Sequence, residues 1–135
     1  MKAFMRRSLA PLVRSCEAGS TAVMAALRIT AIVVELSKLR DYCLAPSHPR
    51  GRHKARVFRS RLGLTATDAA WLQEKLSAAA IAGLDQLRSS QSDEYGDRYL
   101  LDVDVQFRGR AATVRCAWIV RPGEEVLRLT TCYVL

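Results

Sequence analysis

From Tyr99 to Leu135 apolar and polar residues alternate, and two turn signals interrupt the run. Tyr99, Leu101, Val103, Val105 and Phe107 alternate with Asp102, Asp104 and Gln106, the period-2 pattern of a strand with one buried face. "RGR" at 108–110 then predicts a tight hairpin. The next strand sets Ala112, Val114, Cys116, Trp118 and Val120 against Thr113, Arg115, Ala117 and Ile119. "RPGEE" turns the chain again, and the strand from Val126 to Leu135 sets Leu127, Leu129, Thr131 and Tyr133 opposite Arg128, Thr130 and Cys132. A meander with one apolar face needs a cover, and the rest of the chain must supply it.

Two upstream stretches have helical spacing. Ala55, Phe58 and Leu62 recur at i, i+3 and i+7 after Gly51, and Gly63 stops that helix. A longer helix opens at Thr65, with Asp68 completing a capping box. It carries an apolar stripe of Ala69, Leu72, Leu76, Ala80, Leu84 and Leu87 and frays near Ser89. Before them, the β-branched run "ITAIVVEL" reads as a short strand, Ser37 to Leu44 as a helical turn, and "APSHPRG" as a stiff loop. "QSDEYGDR" is polar and turn-rich and reads as a loop. The expected fold is α+β, with N-terminal helices packed on a three- to four-stranded antiparallel sheet. At 135 residues, half of them apolar, the chain suits one domain. That domain is expected over residues 29–135, with 1–28 a basic extension, disordered or preceding the true start.

Charge divides the chain. Residues 1–64 hold 13 Lys and Arg against three acids (+10), whereas 65–135 hold eight against ten (−2). Ser47 to Gly63 alone carries six cations, two histidines and no acid. Such asymmetry points to an anionic partner: RNA or another nucleic acid, an acidic protein or a membrane surface. The four cysteines show neither a C-x-x-C pair nor zinc-ligand spacing with histidine, so no metal and no cofactor are expected. Buried free thiols fit a reducing cytoplasm. The apolar run near Met24 is interrupted by Arg28 and too short to span a bilayer, so no integral membrane association is expected. There is no Gly-rich nucleotide loop, no H-E-x-x-H and no G-x-S-x-G.

His48 sits in a loop stiffened by Pro46 and Pro49, where its imidazole is either an acid–base group or a tie for the loop. Lys54, with Arg52 and Arg56, puts positive charge on the first turn of a helix, against the macrodipole. A phosphate bound there accounts for it, and so do long side chains reaching into solvent. Arg50, Arg52, Lys54 and Arg56 are therefore the candidate nucleic-acid contacts. Arg115 and Arg128 each interrupt an apolar strand. They form either a phosphate clamp or cross-strand ion pairs with Asp102, Asp104 or Glu125. Tyr133 is placed to stack a base or donate a proton, but strict alternation leaves it on the other face, and a bulge is needed to unite them.

"KLRDYCLAPSHPRGRHKARVFRSRLG", "EYGDRY", "TVRCAWIV" and "RLTTCYV" resemble successive blocks of an uncharacterised bacterial family, a domain of unknown function. Its pattern runs roughly KLxxYLLxPxHPxGxxKAxxF, YG, VRxxWI and PRLxTxY. The likeness covers about Leu36 to Tyr133 and includes Tyr42, His48, Gly51, Lys54, Arg115, Arg128, Thr131 and Tyr133. Cys43, Ala45 and Leu127 depart from it. Members occur alone or appended to phage head morphogenesis proteins, and the setting is toxin-like. The resemblance implies a toxin with an acidic antitoxin or immunity partner, and it favours the arginine clamp. The order of elements is also similar to the barnase, EndoU, colicin and RelE ribonuclease fold. The expected activity is metal-independent RNA cleavage by His48, Lys54, Arg115, Arg128 and Tyr133. The alternative is a non-catalytic module that binds nucleic acid or a protein partner.

Overall fold

The computed structural model describes residues 4–8 and 28–135. Strand β1 is Phe4–Ser8 and β2 is Ala31–Glu35. Next comes α1, Leu36–Lys38, which widens into a π-helical turn over Leu39–Cys43. Helices α2 (Arg52–Leu62) and α3 (Ala69–Ala82) come after it, then β3 (Arg88–Asp93), β4 (Gly96–Phe107), β5 (Arg110–Val120) and β6 (Val126–Val134).

The fold is α+β, but the sheet is mixed and larger than expected. Five strands lie between residues 31 and 134, and β1 adds a sixth, in the order β1-β2-β6-β5-β4-β3. All neighbours are antiparallel except β2 and β6, which are parallel. β2 enters the sheet interior because its apolar run serves both faces. Ile32 and Val34 join the main core, while Ala31 and Val33 are buried with Val126 on the other side. The helices therefore come after the first strands instead of preceding the sheet. The strand Phe4–Ser8 falls within the expected extension, and residues 9–27 of that extension, with Cys16 and Met24, lie outside the described residues.

Two boundaries differ from those expected. Helix α3 stops at Ala82 with Gly83 as its C-cap, and Leu84–Gln86 forms a 3₁₀ turn. The stretch expected as a loop is instead the β3–β4 hairpin, paired from Arg88↔Leu100 to Asp93↔Gly96. β3 is exposed along its whole length, so it has no alternation to betray it, as suits a polar edge strand.

Elsewhere local chemistry and structure agree. The Thr65 N–H donates to Asp68 Oδ2 at 2.9 Å, closing the capping box. Gly63 ends α2 in the left-handed region at φ 75° and donates to the Arg59 carbonyl, a geometry glycine adopts without strain. The 108–109 hairpin joins Phe107 to Arg110. Phe58 and Leu62 of α2 and Leu72, Leu76 and Ala80 of α3 pack on Cys116, Trp118, Leu127, Leu129 and Cys132 of the sheet. No helix among the described residues is long and apolar enough to cross a membrane.

One irregularity decides which side chains the end of β6 presents on each face. Ala117 pairs with Thr131 but Trp118 pairs with Leu129, so Thr130 is an extra residue in β6, a β-bulge. Its hydroxyl donates to the Ala117 carbonyl at 3.0 Å. Past the bulge, Cys132 and Val134 point into the core, as Leu127 and Leu129 do before it.

Candidate functional site

β2 pairs with β6 only from Ala31↔Val126 to Val33↔Arg128. One residue beyond, the Val34 carbonyl accepts a 2.8 Å bond from the buried Gln73 amide of α3. Leu129–Val134 then has no strand beside it on that side among the described residues. The π-helical turn and the start of α2 lie along this free stretch instead, and the candidate site forms where they meet it.

Tyr42 is the hub. The backbone at Gly51 presses on it so closely that a Cβ on residue 51 would overlap the Tyr42 carbonyl oxygen. Glycine at 51 thus lets the first turn of α2 approach the π-helical turn. Lys54 Nζ donates to the Tyr42 hydroxyl at 3.3 Å, lies 5.1 Å from the Tyr42 ring centroid and 6.0 Å from that of Tyr133. A cation over aromatic rings is worth roughly 0.5–2 kcal/mol, depending on its exposure. The His48 ring stands edge-on to Tyr42, centroids 4.7 Å apart.

His48 Nδ1 accepts from the Arg50 and Gly51 amides at 3.0 and 2.9 Å. These bonds fix the tautomer with the proton on Nε2. They also satisfy backbone donors just ahead of α2 in the manner of a helix cap. His48 thus ties down its loop, and this Nδ1 is not free to accept a substrate proton. His48, Tyr42 and Arg50 line a recess of about 520 Å³ with Glu35, Lys38, Asp41, Thr130 and Thr131. Beside it, His53, Lys54, Val57, Tyr133 and Val134 line a shallower recess of about 360 Å³.

The bulge brings Tyr133 onto the same sheet face as Arg115, its cross-strand partner. The Tyr133 phenol is a minor influence on the Arg115 guanidinium, after Asp102. Arg115 makes a bidentate pair with Asp102, at 2.8 and 3.0 Å. That bond first, and then the nearby charge, holds the Asp102 carboxyl below the usual carboxylate range and raises the Arg115 guanidinium. Arg88 shares Asp102 at 3.4 Å.

Arg128 is not part of this group. It pairs with Ile119, four positions along β5 from Arg115, and binds Glu124 at 3.2 Å. The two arginines do not form a clamp; each has an acid of its own. Arg52 and Arg56 also stand apart, lining a different cavity on the far side of Lys54. The structure therefore assembles His48, Lys54, Arg115 and Tyr133, keeps Arg50 at their margin, and separates Arg52, Arg56 and Arg128.

Tyr42, Thr131 and Cys43 were absent from the expected site. Tyr42 stood in the family-like block, but only the close approach of Gly51 gives it a role. Cys43 Sγ lies 3.8 Å from Thr131 Oγ1. Its thiol is lowered chiefly by a hydrogen bond with Cys132, while Cys132 is raised by the same bond and by burial. Cys43, Cys116 and Cys132 are all buried free thiols. No group of three metal-ligating side chains occurs among the described residues.

No curated protein and no solved structure matches the chain. Residues 27–135, and with them every strand from β2 to β6 and the whole Tyr42–Lys54–Tyr133 cluster, match the model of a domain of unknown function, DUF6883, and the chain belongs to that family.

Proposed function

We propose that this domain binds RNA along the free stretch of β6 and cleaves it without a metal, as a toxin-like cytoplasmic ribonuclease restrained by an acidic antitoxin or immunity partner. The toxin and phage setting rests on the family resemblance. The observation that carries the chemistry is the convergence of Lys54, Tyr42 and Tyr133 from three separate elements, with Arg115 behind them.

RNA transesterification needs a proton acceptor for the 2′-hydroxyl, a donor for the leaving oxygen and cations for the charge on phosphorus. In the reacting form Tyr42 is a phenolate paired with the Lys54 ammonium, and it takes the 2′-hydroxyl proton as O2′ bonds to phosphorus and the P–O5′ bond breaks. Tyr133 returns a proton to O5′, and the Arg115 guanidinium beside it stabilises the phenolate left behind. The products are a 2′,3′-cyclic phosphate and a 5′-hydroxyl. His48 acts as a positioning residue through its backbone bonds, with Nε2–H free of any hydrogen-bond partner among the described residues. Glu35 and Asp41 in the larger recess direct the phosphate toward Lys54.

A second reading, RNA binding without turnover, is favoured by the Asp102 pairing, which already occupies the Arg115 fork. Labelled RNA incubated with the protein in EDTA separates the two. Cleavage is expected, reduced at least about 100-fold in Lys54→Ala with the circular dichroism spectrum unchanged. Intact RNA with salt-sensitive retention selects the binding reading, and RNA that is neither cut nor retained is not the ligand.

A further inference from the structure

Helix α2 turns a second row of cations away from Lys54. Arg52, Arg56 and Arg59 are spaced i, i+4 and i+7, so they share one face over about 10 Å of helix axis. They form one wall of a groove of about 530 Å³. Leu44, Pro46, Ala55, Leu64 and Ala66 make its floor, and Thr65 and Thr67 its opposite lip. No acid lines this groove. None of the three arginines has an ion pair among the described residues.

An aliphatic floor beside unpaired arginines is the composition of a protein–protein interface centre, depleted in acids and lysine and enriched in arginine. Nucleic acid fits it poorly, because the floor offers no aromatic ring for a base to stack on, and a phosphate backbone gains nothing from leucine and alanine. A single small carboxylate cannot meet charges spread over three helical positions. A polypeptide with acids on successive turns can meet all of them and seat its own aliphatic side chains between.

We infer that this groove docks an acidic amphipathic segment of a partner protein. Carboxylates at about one per helical turn would face Arg52, Arg56 and Arg59, and aliphatic side chains would rest on Pro46 and Ala66, the accessible part of the floor. This rests on the acidic-partner half of the function proposed above and not on RNA cleavage, since neither Lys54 nor Tyr133 lines the groove.

The test titrates the ¹⁵N-labelled full chain with a set of synthetic helical peptides. Each carries Glu at i, i+4 and i+7 with Leu, Ile or Val varied on the adjoining face, and controls carry Lys in place of Glu. Saturable shifts confined to residues 44–46, 52–59 and 64–67 are expected. Arg59→Glu should weaken binding at least tenfold, and a peptide with Lys opposite residue 59 should restore it. The inference is overturned if no acidic peptide saturates, if the Lys controls bind equally well, or if the shifts fall on Tyr42, Lys54 and Tyr133. It is also overturned if the groove instead takes a single-stranded RNA oligonucleotide that Arg59→Glu releases. Cleavage of RNA in EDTA by Arg59→Glu, measured alongside, is expected to match that of the unaltered chain, so failure of the cleavage reading leaves the peptide result interpretable.

Discussion

The two sides of helix α2 carry the same sign of charge in different surroundings. On one side Lys54 lies over Tyr42 and Tyr133, bonded to a hydroxyl and backed by the edge of the sheet. On the other, Arg52, Arg56 and Arg59 border an aliphatic groove that no acid lines. A cation held against phenol rings is fixed in place and able to take part in proton transfer. Guanidinium groups along an apolar trough are suited to holding a second chain. Net charge, which treats these residues alike, therefore says that the first half seeks anions but not that it has two places to receive them.

Variants that disturb one side and spare the other test the contrast. Gly51→Ala should have the largest effect on folding. A methyl group there meets the Tyr42 carbonyl, and overpacking of this kind costs about 1–3 kcal/mol. Urea denaturation should show the loss, and RNA cleavage should fall as Lys54 and Tyr42 separate, while the acidic peptides still saturate the groove. Equal damage to both sides would mean that α2 responds as one rigid unit.

His48→Ala should cost less, about 0.5–2 kcal/mol, the usual range for a lost helix cap, read from the same denaturation curves. If His48 only positions the loop, cleavage should drop less than tenfold. A loss as large as that of Lys54→Ala would instead put the imidazole at the reacting phosphate.

The smallest effect belongs to Asp102→Asn. Because Arg115 holds the Asp102 carboxyl below its ordinary range, the stability it contributes is complete above the unfolded value of about 3.9. It is lost as pH falls through the lower folded value. Both side chains of the pair are about one-third exposed, and solvent screens them. Asp102→Asn should therefore lower Tm less than His48→Ala at neutral pH, and the difference from the parent should vanish in strong acid. Freed from Asp102, Arg115 should hold RNA more tightly in filter retention. Unchanged retention would show that Arg115 serves Tyr133 alone.

The sequence revealed elements wherever one face is buried and the other wet. The meander from Tyr99, the α2 stripe of Ala55, Phe58 and Leu62, and the Thr65–Asp68 cap all obey that rule. It hid β3, which is polar on both faces, and it understated β2, which is apolar on both. Lys54 and Tyr133 were legible as chemistry but not as neighbours. Their meeting depends on the glycine at 51, on where β2 leaves β6, and on one unpaired threonine. Arg128 was misplaced for a related reason. Strand alternation gives a side chain its face but not its distance along the strand, and Glu124 four residues away was an equally accessible partner.

That threonine makes the site a matter of parity. In a strand every position is odd or even with respect to the core, and Thr130 changes the count once, between Leu129 and Cys132. Were Thr130 paired like its neighbours, Tyr133 would turn into the interior and Cys132 outward, exchanging a phenol for a thiol at the same edge. The identity of the group presented to a substrate is thus written less in residue 133 than in the one residue that the pairing skips before it.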